Sequence, residues 1–310
     1  MCGVAPGVEP SFAPRLSRLG DGMALERDTV QHTLCIPLWG RAISTRRQPG
    51  FFPDPDAARI LDELGEPRPE SLFYRLEYPG LQCIVRQYDM ACEIEAYART
   101  HPGACVIELG AGLSCLRRQM AAAGMTGASC PWYAVDLPNV IELRERLVPD
   151  DGVERRLAAD LNDHAWMERV DADSARGTML VAAGLFYYFR RAQVEALVAA
   201  LAERFPGGAL AFDATNGRGI RGVNKEVELA GNATRSYFSL EDPAREVPLW
   251  SPRISGASER DYLSGYATPG VTYRAGWLTR RIMGHMRRRH LGFIVHVDFA
   301  GPGSGTGGAR

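Results

Sequence analysis

Positions 106–115 read Val-Ile-Glu-Leu-Gly-Ala-Gly-Leu-Ser-Cys, so an apolar run delivers the carboxylate Glu108 just ahead of Gly110 and Gly112. Glycine lets a backbone turn sharply and come close to a ligand, because no Cβ intervenes. Amides at the start of a following helix can then meet a ligand's polar groups. Two further acids fall at comparable places. Asp136 ends the run Trp132–Asp136 (WYAVD), and Asp160 follows Ala158 and Ala159 in AADLN. A carboxylate at a strand tip can accept two hydrogen bonds from a ribose diol, and one beyond a third strand can receive an adenine amino group. Taken singly, these are a tight turn, a helix cap before Pro138 and a solvated loop acid. Together they are three acids at the ends of three successive strands, bordering one glycine loop, and they predict a nucleoside-bearing cofactor.

Two cofactor classes use such a loop. The dinucleotide fingerprint requires a third glycine for close helix packing, and that position here is Cys115. Glu108 also suits a pyrophosphate poorly. Beside the ammonium and sulfonium charges of S-adenosylmethionine the same carboxylate is favourable. The acid-x-G-x-G spacing therefore points to a class I methyltransferase loop and away from NAD.

The elements that must position these residues follow from the pattern along the chain. Residues 1–102 read as a helical N-terminal region behind a loose arm, with a helix from Ala57 to Leu64 capped by Asp54 or Asp56 and another from Leu81 to Thr100. Beyond residue 103 the texture changes. Ala104–Leu109, Trp132–Asp136, Thr178–Ala183, Ala209–Ala214 and Gly292–Phe299 are short apolar runs separated by stretches of helical spacing, such as Val194, Leu197, Val198, Leu201 and Phe205 on one face. Buried strands alternating with amphipathic helices predict an α/β, Rossmann-like core over 103–300. Residues 215–273 interrupt that rhythm for too long to be an idle connection and are read as an inserted lid over the substrate. The tail 301–310 (GPGSGTGGAR) is read as disordered.

Composition narrows the partners. Lys and Arg number 36 against 37 Asp and Glu, so no whole-protein field draws in a nucleic acid or an anionic membrane, and a small-molecule substrate is expected. No stretch of 18 apolar residues exists to span a bilayer. Cys2, Cys35, Cys83, Cys92, Cys105, Cys115 and Cys130 are odd in number and never at CxxC spacing, which predicts reduced thiols in a cytoplasmic protein and no metal site. Oligomeric state has no signature here.

In its motifs the chain resembles the leucine carboxyl methyltransferase superfamily, in particular the bacterial O-methyltransferases of polyketide pathways. The resemblance rests on Thr33–Arg41 (TLCIPLWGR), Asp54–Ala57 (DPDA), Arg86–Asp89 (RQYD), Val106–Arg118, Trp132–Glu142, Ala158–Asp160, Ala183–Phe189 (AGLFYYF) and Arg204–Thr215 (RFPGGALAFDAT), in that order. It implies a seven-stranded class I methyltransferase sheet behind a helical cap, with S-adenosylmethionine as cofactor. It implies further that Arg86, assisted by Arg41, binds the methionine carboxylate, and that Gly110, Asp136, Asp160 and Leu161 line the cofactor. Read without the family, Arg86 is an ordinary surface helix residue. The chain departs from the family at Ala183, where Glu-Gly-Leu is usual and Ala183–Gly184–Leu185 stands, so a carboxylate facing the cofactor or substrate is missing. It departs again at 114–117, where Ser-Cys-Leu-Arg loosens the match after the glycines.

The activity that follows is methyl transfer to an oxygen of a small carboxylic acid or phenol, with natural-product biosynthesis as the setting implied by the resemblance. A carboxylate nucleophile needs no base, whereas a phenol benefits from one. Tyr187 and Tyr188, after the fourth strand, are the candidates, with core aromatics as the alternative reading. The rival function is a non-catalytic or repurposed protein that holds the cofactor or its demethylated product, a reading motivated by Ala183.

Overall fold

The computed structural model describes residues 34–64, 77–229, 235–261 and 274–302, together with a short pairing of Arg18–Leu19 against Gly22–Met23. The expected N-terminal arm, residues 262–273 of the expected insertion and the tail from residue 303 lie outside the described residues.

Seven strands form one sheet. They are β1 (Cys105–Leu109), β2 (Trp132–Asp136), β3 (Glu154–Ala158), β4 (Thr178–Ala182), β5 (Ala209–Ala214), β6 (Ile254–Asp261) and β7 (Phe293–Phe299), in the spatial order β3-β2-β1-β4-β5-β7-β6. The first five run parallel, and β7 lies antiparallel to both β5 and β6. Strands β1, β4 and β5 are buried at every position, which is why they appear in the sequence as largely apolar runs rather than alternating ones. Strand β3 (ERRLA) sits at the edge and carries charge instead, a composition that discourages pairing with another chain.

Helices cover both faces. On one side α6 (Arg191–Arg204) lays Val194, Leu197, Val198 and Leu201 against Ile107, Leu180, Leu210 and Phe212. The opposite face receives α3 (Tyr78–Thr100), α4 (Leu116–Ala122) and α9 (Trp277–Arg289), whose Leu81, Ile84, Ile94, Leu116 and Met283 pack on Val106, Val181, Ala211 and Ile294. The N-terminal helices α1 (Cys35–Arg47) and α2 (Pro55–Leu64) build a third cluster with Leu113, Leu143 and Leu147, the last two on α5 (Pro138–Leu147). Asp54 caps α2, its Oδ1 accepting the Ala57 N–H at 3.1 Å.

Two boundaries differ from the sequence reading. The third strand ends at Ala158, so Asp160 lies two residues beyond it, in a turn. The range 215–273 is not wholly an insertion, because its residues 254–261 are strand β6 of the main sheet, paired along β7. Its sequence ISGASERD lacks the apolar run that marks the buried strands, because an edge strand is only partly covered. Between β5 and β6 lie α7 (Gly219–Leu229) and the one-turn helix α8 (Pro243–Glu246).

Candidate functional site

The residues singled out by sequence gather at the C-terminal ends of the parallel strands, where open α/β sheets place their ligand crevice. The loop after β1 is held from several directions. Gly110 and Gly112 have φ of +60° and +51°, a backbone region that other residues rarely adopt. The Gly110 N–H donates to the Val135 carbonyl at 2.8 Å. Asp136 at the tip of β2 accepts the Gly112 N–H on Oδ2 and the Leu137 N–H on Oδ1, both at 2.7 Å. Burial pushes the Asp136 carboxyl up, and these two backbone bonds pull it back down.

Arginines hold the other side of the loop. Arg144 of α5, fully buried, donates from Nη1 to the carbonyls of Gly112 (3.0 Å) and Ser114 (2.7 Å). Arg41 of α1 donates from Nη2 to the Leu113 carbonyl at 3.0 Å and from Nε to Asp54 at 2.6 Å. Gln87 of α3 reaches the Ser114 hydroxyl at 2.8 Å. Arg41 thus ties the N-terminal helices to the glycine loop, and its guanidinium is engaged by Asp54.

Glu108 is the electrostatic oddity. It is 3% exposed, and its Oε2 has no hydrogen-bond partner among the described residues. Burial raises its carboxyl to about 7, against the opposing pull of Arg144 and a hydrogen bond with Ser114. An ionised group left in this state is costly, and a cationic group on a ligand would match it.

A second cluster lies at the ends of β4 and β5. Gly184, at φ +69°, donates its N–H to Asp213 Oδ1 at 2.5 Å. The other Asp213 oxygen accepts from Arg86 Nη1 at 3.3 Å. The Arg86 guanidinium lies so close over Gly184 that a Cβ there would meet Nη1 at 2.6 Å. Ala183 is half-buried beside them. Tyr187 and Tyr188 follow in a short helical turn and are half-buried, whereas Phe186 between this turn and the sheet is buried. Tyr187 lines a cavity of about 100 Å³ with Gln82, Arg218, Val223, Met286 and Leu291.

The structure therefore brings together Glu108, Gly110, Gly112 and Asp136 around one loop, and Arg86 and Ala183 around the neighbouring turn. Leu161 is buried, while Asp160 is exposed and its Oδ1 accepts from the Asn162 backbone and side-chain amides. Sequence reasoning missed Asp213, Arg144 and Gln87. Asp213 carried a signal, since an acid ends the apolar run ALAFDA as Asp136 ends WYAVD. Arg144 and Gln87 carried none, being polar residues on helices.

The loop fits S-adenosylmethionine on its own chemistry. A buried carboxylate with one oxygen unpartnered among the described residues stands ready for an ammonium, two positive-φ glycines shape the turn beside it, and an acid ends the second strand. Comparison with known proteins agrees. The chain is 29% identical over 203 residues to the tetracenomycin polyketide synthesis O-methyltransferase TcmP of Streptomyces glaucescens, covering 62% of this chain and 68% of that one. It is 26% identical over 270 residues to the S-adenosyl-L-methionine-dependent methyltransferase dpfgK of Gibberella zeae, covering 80% and 87%. A Thermobifida fusca protein described as a methyltransferase shares the fold with a TM-score of 0.56 at 13% identity, over 88% of this chain and 96% of that one. The leucine carboxyl methyltransferase profile matches residues 35–202, just over half the chain. With these residues matched and this sheet formed, the chain belongs to the leucine carboxyl methyltransferase family, whose cofactor is S-adenosylmethionine.

Proposed function

We propose that this protein is an O-methyltransferase acting on a small carboxylic acid or phenol in polyketide or related natural-product biosynthesis. The observation that carries the methyl-transfer chemistry is the buried Glu108, whose Oε2 has no hydrogen-bond partner among the described residues, behind a glycine loop fixed by Asp136. The oxygen acceptor and the pathway rest on the similarity to a relative named as a polyketide O-methyltransferase.

When bound, the cofactor would supply a methyl group on a sulfonium: an oxygen nucleophile bonds to the methyl carbon and the neutral thioether leaves with the C–S electron pair. The chain's own residues would divide the work of holding it. Glu108 balances the ammonium, and Arg86 the amino-acid carboxylate. Gly110 and Gly112 allow close approach, Asp136 keeps the Gly112 and Leu137 amides and offers its remaining lone pairs to the ribose diol, and Leu161 and Asp160 border the base. Arg41 acts through the Leu113 carbonyl, keeping the loop in place. The cavity beside Tyr187 suits an acceptor of modest size. Arg218 at its wall forms no ion pair among the described residues, so an acceptor's carboxylate would balance it. For a phenol, Tyr187 is the better placed of the two tyrosines to orient the hydroxyl.

The test is incubation of the purified protein with S-adenosylmethionine and a panel of aromatic acids and phenols, with the methylated atom located by NMR. Methyl transfer to oxygen is expected. Intact cofactor binding without turnover across the panel would favour the rival reading of a non-catalytic binder, for which Ala183 is the motive.

A further inference from the structure

The turn after β4 carries Ala183, and at the same level of the rim the neighbouring strand β5 supplies a carboxylate, Asp213. The last rung between β4 and β5 pairs Ala182 with Phe212, so Ala183 and Asp213 follow it side by side. Both belong to the face of the sheet that carries α3: Phe212 and Ala214 pack on the opposite side, whereas Ala211, two residues before Asp213, packs with α3. Asp213 is 2% exposed, and its two oxygens are divided between two jobs. One accepts the Gly184 N–H at 2.5 Å and fixes the turn. The other faces Arg86 Nη1 at 3.3 Å. The Arg86 guanidinium, resting on the bare Cα of Gly184, is therefore set in place by a carboxylate from the next strand.

We propose that Asp213 is the positioning residue for Arg86, a carboxylate that orients the guanidinium toward the amino-acid end of the cofactor. One edge of the guanidinium is held by Asp213, and a guanidinium pre-set in this way loses less side-chain entropy when it takes up a second carboxylate. Replacing the Asp213 oxygen that faces Arg86 by an amide removes the charge that holds it and brings a second donor against it.

The inference rests on Arg86 as the partner of the cofactor's carboxylate, and the experiment separates the two. Calorimetric binding of S-adenosylhomocysteine is compared with that of 5′-methylthioadenosine, which lacks the amino-acid end, for the wild-type protein, Arg86→Gln and Asp213→Asn. Both variants should lose about tenfold or more in affinity for S-adenosylhomocysteine, as expected for a charge-assisted contact, and keep wild-type affinity for 5′-methylthioadenosine. Retained binding of the second ligand also reports that the variant is folded. If Arg86→Gln binds both ligands as the wild type does, the assignment of Arg86 fails and takes this inference with it. If Arg86→Gln discriminates but Asp213→Asn binds both normally, or loses both equally, Asp213 has no positioning role. Should Asp213→Asn not fold, Asp213→Glu keeps the charge at a longer reach. A several-fold loss confined to S-adenosylhomocysteine then supports the role, and equal or absent losses overturn it.

Discussion

Arg144 and Glu154 meet as a buried two-pronged pair, Nε to Oε1 at 2.9 Å and Nη2 to Oε2 at 2.6 Å, with side chains only 1% and 6% exposed. Glu154 opens the edge strand β3, while the remaining Arg144 nitrogen holds the Gly112 and Ser114 carbonyls. One guanidinium thus joins the sheet edge to the loop.

Arg144→Ala should therefore be among the most destabilising single changes, costing about 3–5 kcal/mol, because it leaves the buried Glu154 with Arg156 on Oε1 alone and takes the donor from two carbonyls. Arg144→Lys should recover only part of this, since an ammonium cannot serve both a bidentate carboxylate and two carbonyls. Urea unfolding of the three proteins checks it. Equal stability of wild type and Arg144→Ala would remove the clamp from the account.

Glu108 sets a pH dependence with a defined sign. Its native carboxyl is raised from 4.5 to about 7, so the ligand-free native state binds more protons than the unfolded chain across that window. Stability should accordingly fall as pH rises from about 4.5 to 7, by about 3 kcal/mol in total. Glu108→Gln should flatten that slope and weaken cofactor binding at pH 8, where the wild-type carboxylate is ionised. Thermal melts across this pH range and calorimetry at pH 8 measure the two effects, and an unchanged slope in the variant would assign the proton elsewhere.

Gly110 tests the loop itself. A Cβ there would meet Leu185 Cδ1 at 2.5 Å, on a backbone already at φ +60°. Gly110→Ala should cost about 1–3 kcal/mol from the strained backbone and the displaced leucine. Cofactor affinity should fall more steeply than stability, because relieving the clash with Leu185 shifts the loop proposed to meet the ligand. A titration alongside a denaturation curve decides it, and a variant that binds normally would move the cofactor away from Gly110.

On the opposite edge His296 of β7 bonds Glu93 of α3 through Nδ1 at 2.8 Å, and Arg260 of β6 bonds the same Glu93 at 2.8 Å. The hydrogen bond to Glu93 raises the imidazole pKa, ahead of a smaller opposing effect of burial. A raised native pKa means that the stabilisation is complete below the unfolded value of 6.5 and disappears as pH rises through the native one. With the imidazole partly solvent-facing, about 1 kcal/mol is at stake. His296→Gln should lose stability at pH 6 and differ little at pH 9, in melts at the two pH values. An equal loss at both would mean packing, rather than charge, is what His296 contributes.

What the chain determined by its sequence alone was everything encoded locally. The glycines of 110 and 112 with Glu108 ahead of them, the acid ending WYAVD, and the largely apolar runs of β1, β4 and β5 are patterns of a few neighbouring residues. They fixed the α/β class and singled out the loop proposed to meet the cofactor. Strand β6 escaped notice because an edge strand buries too little to need an apolar run, and it was read into an insertion instead. The tertiary structure alone decided which polar residues are partners. Arg86 looked like a surface helix residue until α3 laid it on Gly184 against Asp213, 127 positions away. Arg144, which no motif singles out, is turned under the loop by α5. A buried charge is stable only with its partner beside it, and that partner is chosen by how helices pack on the sheet, which no local spacing records.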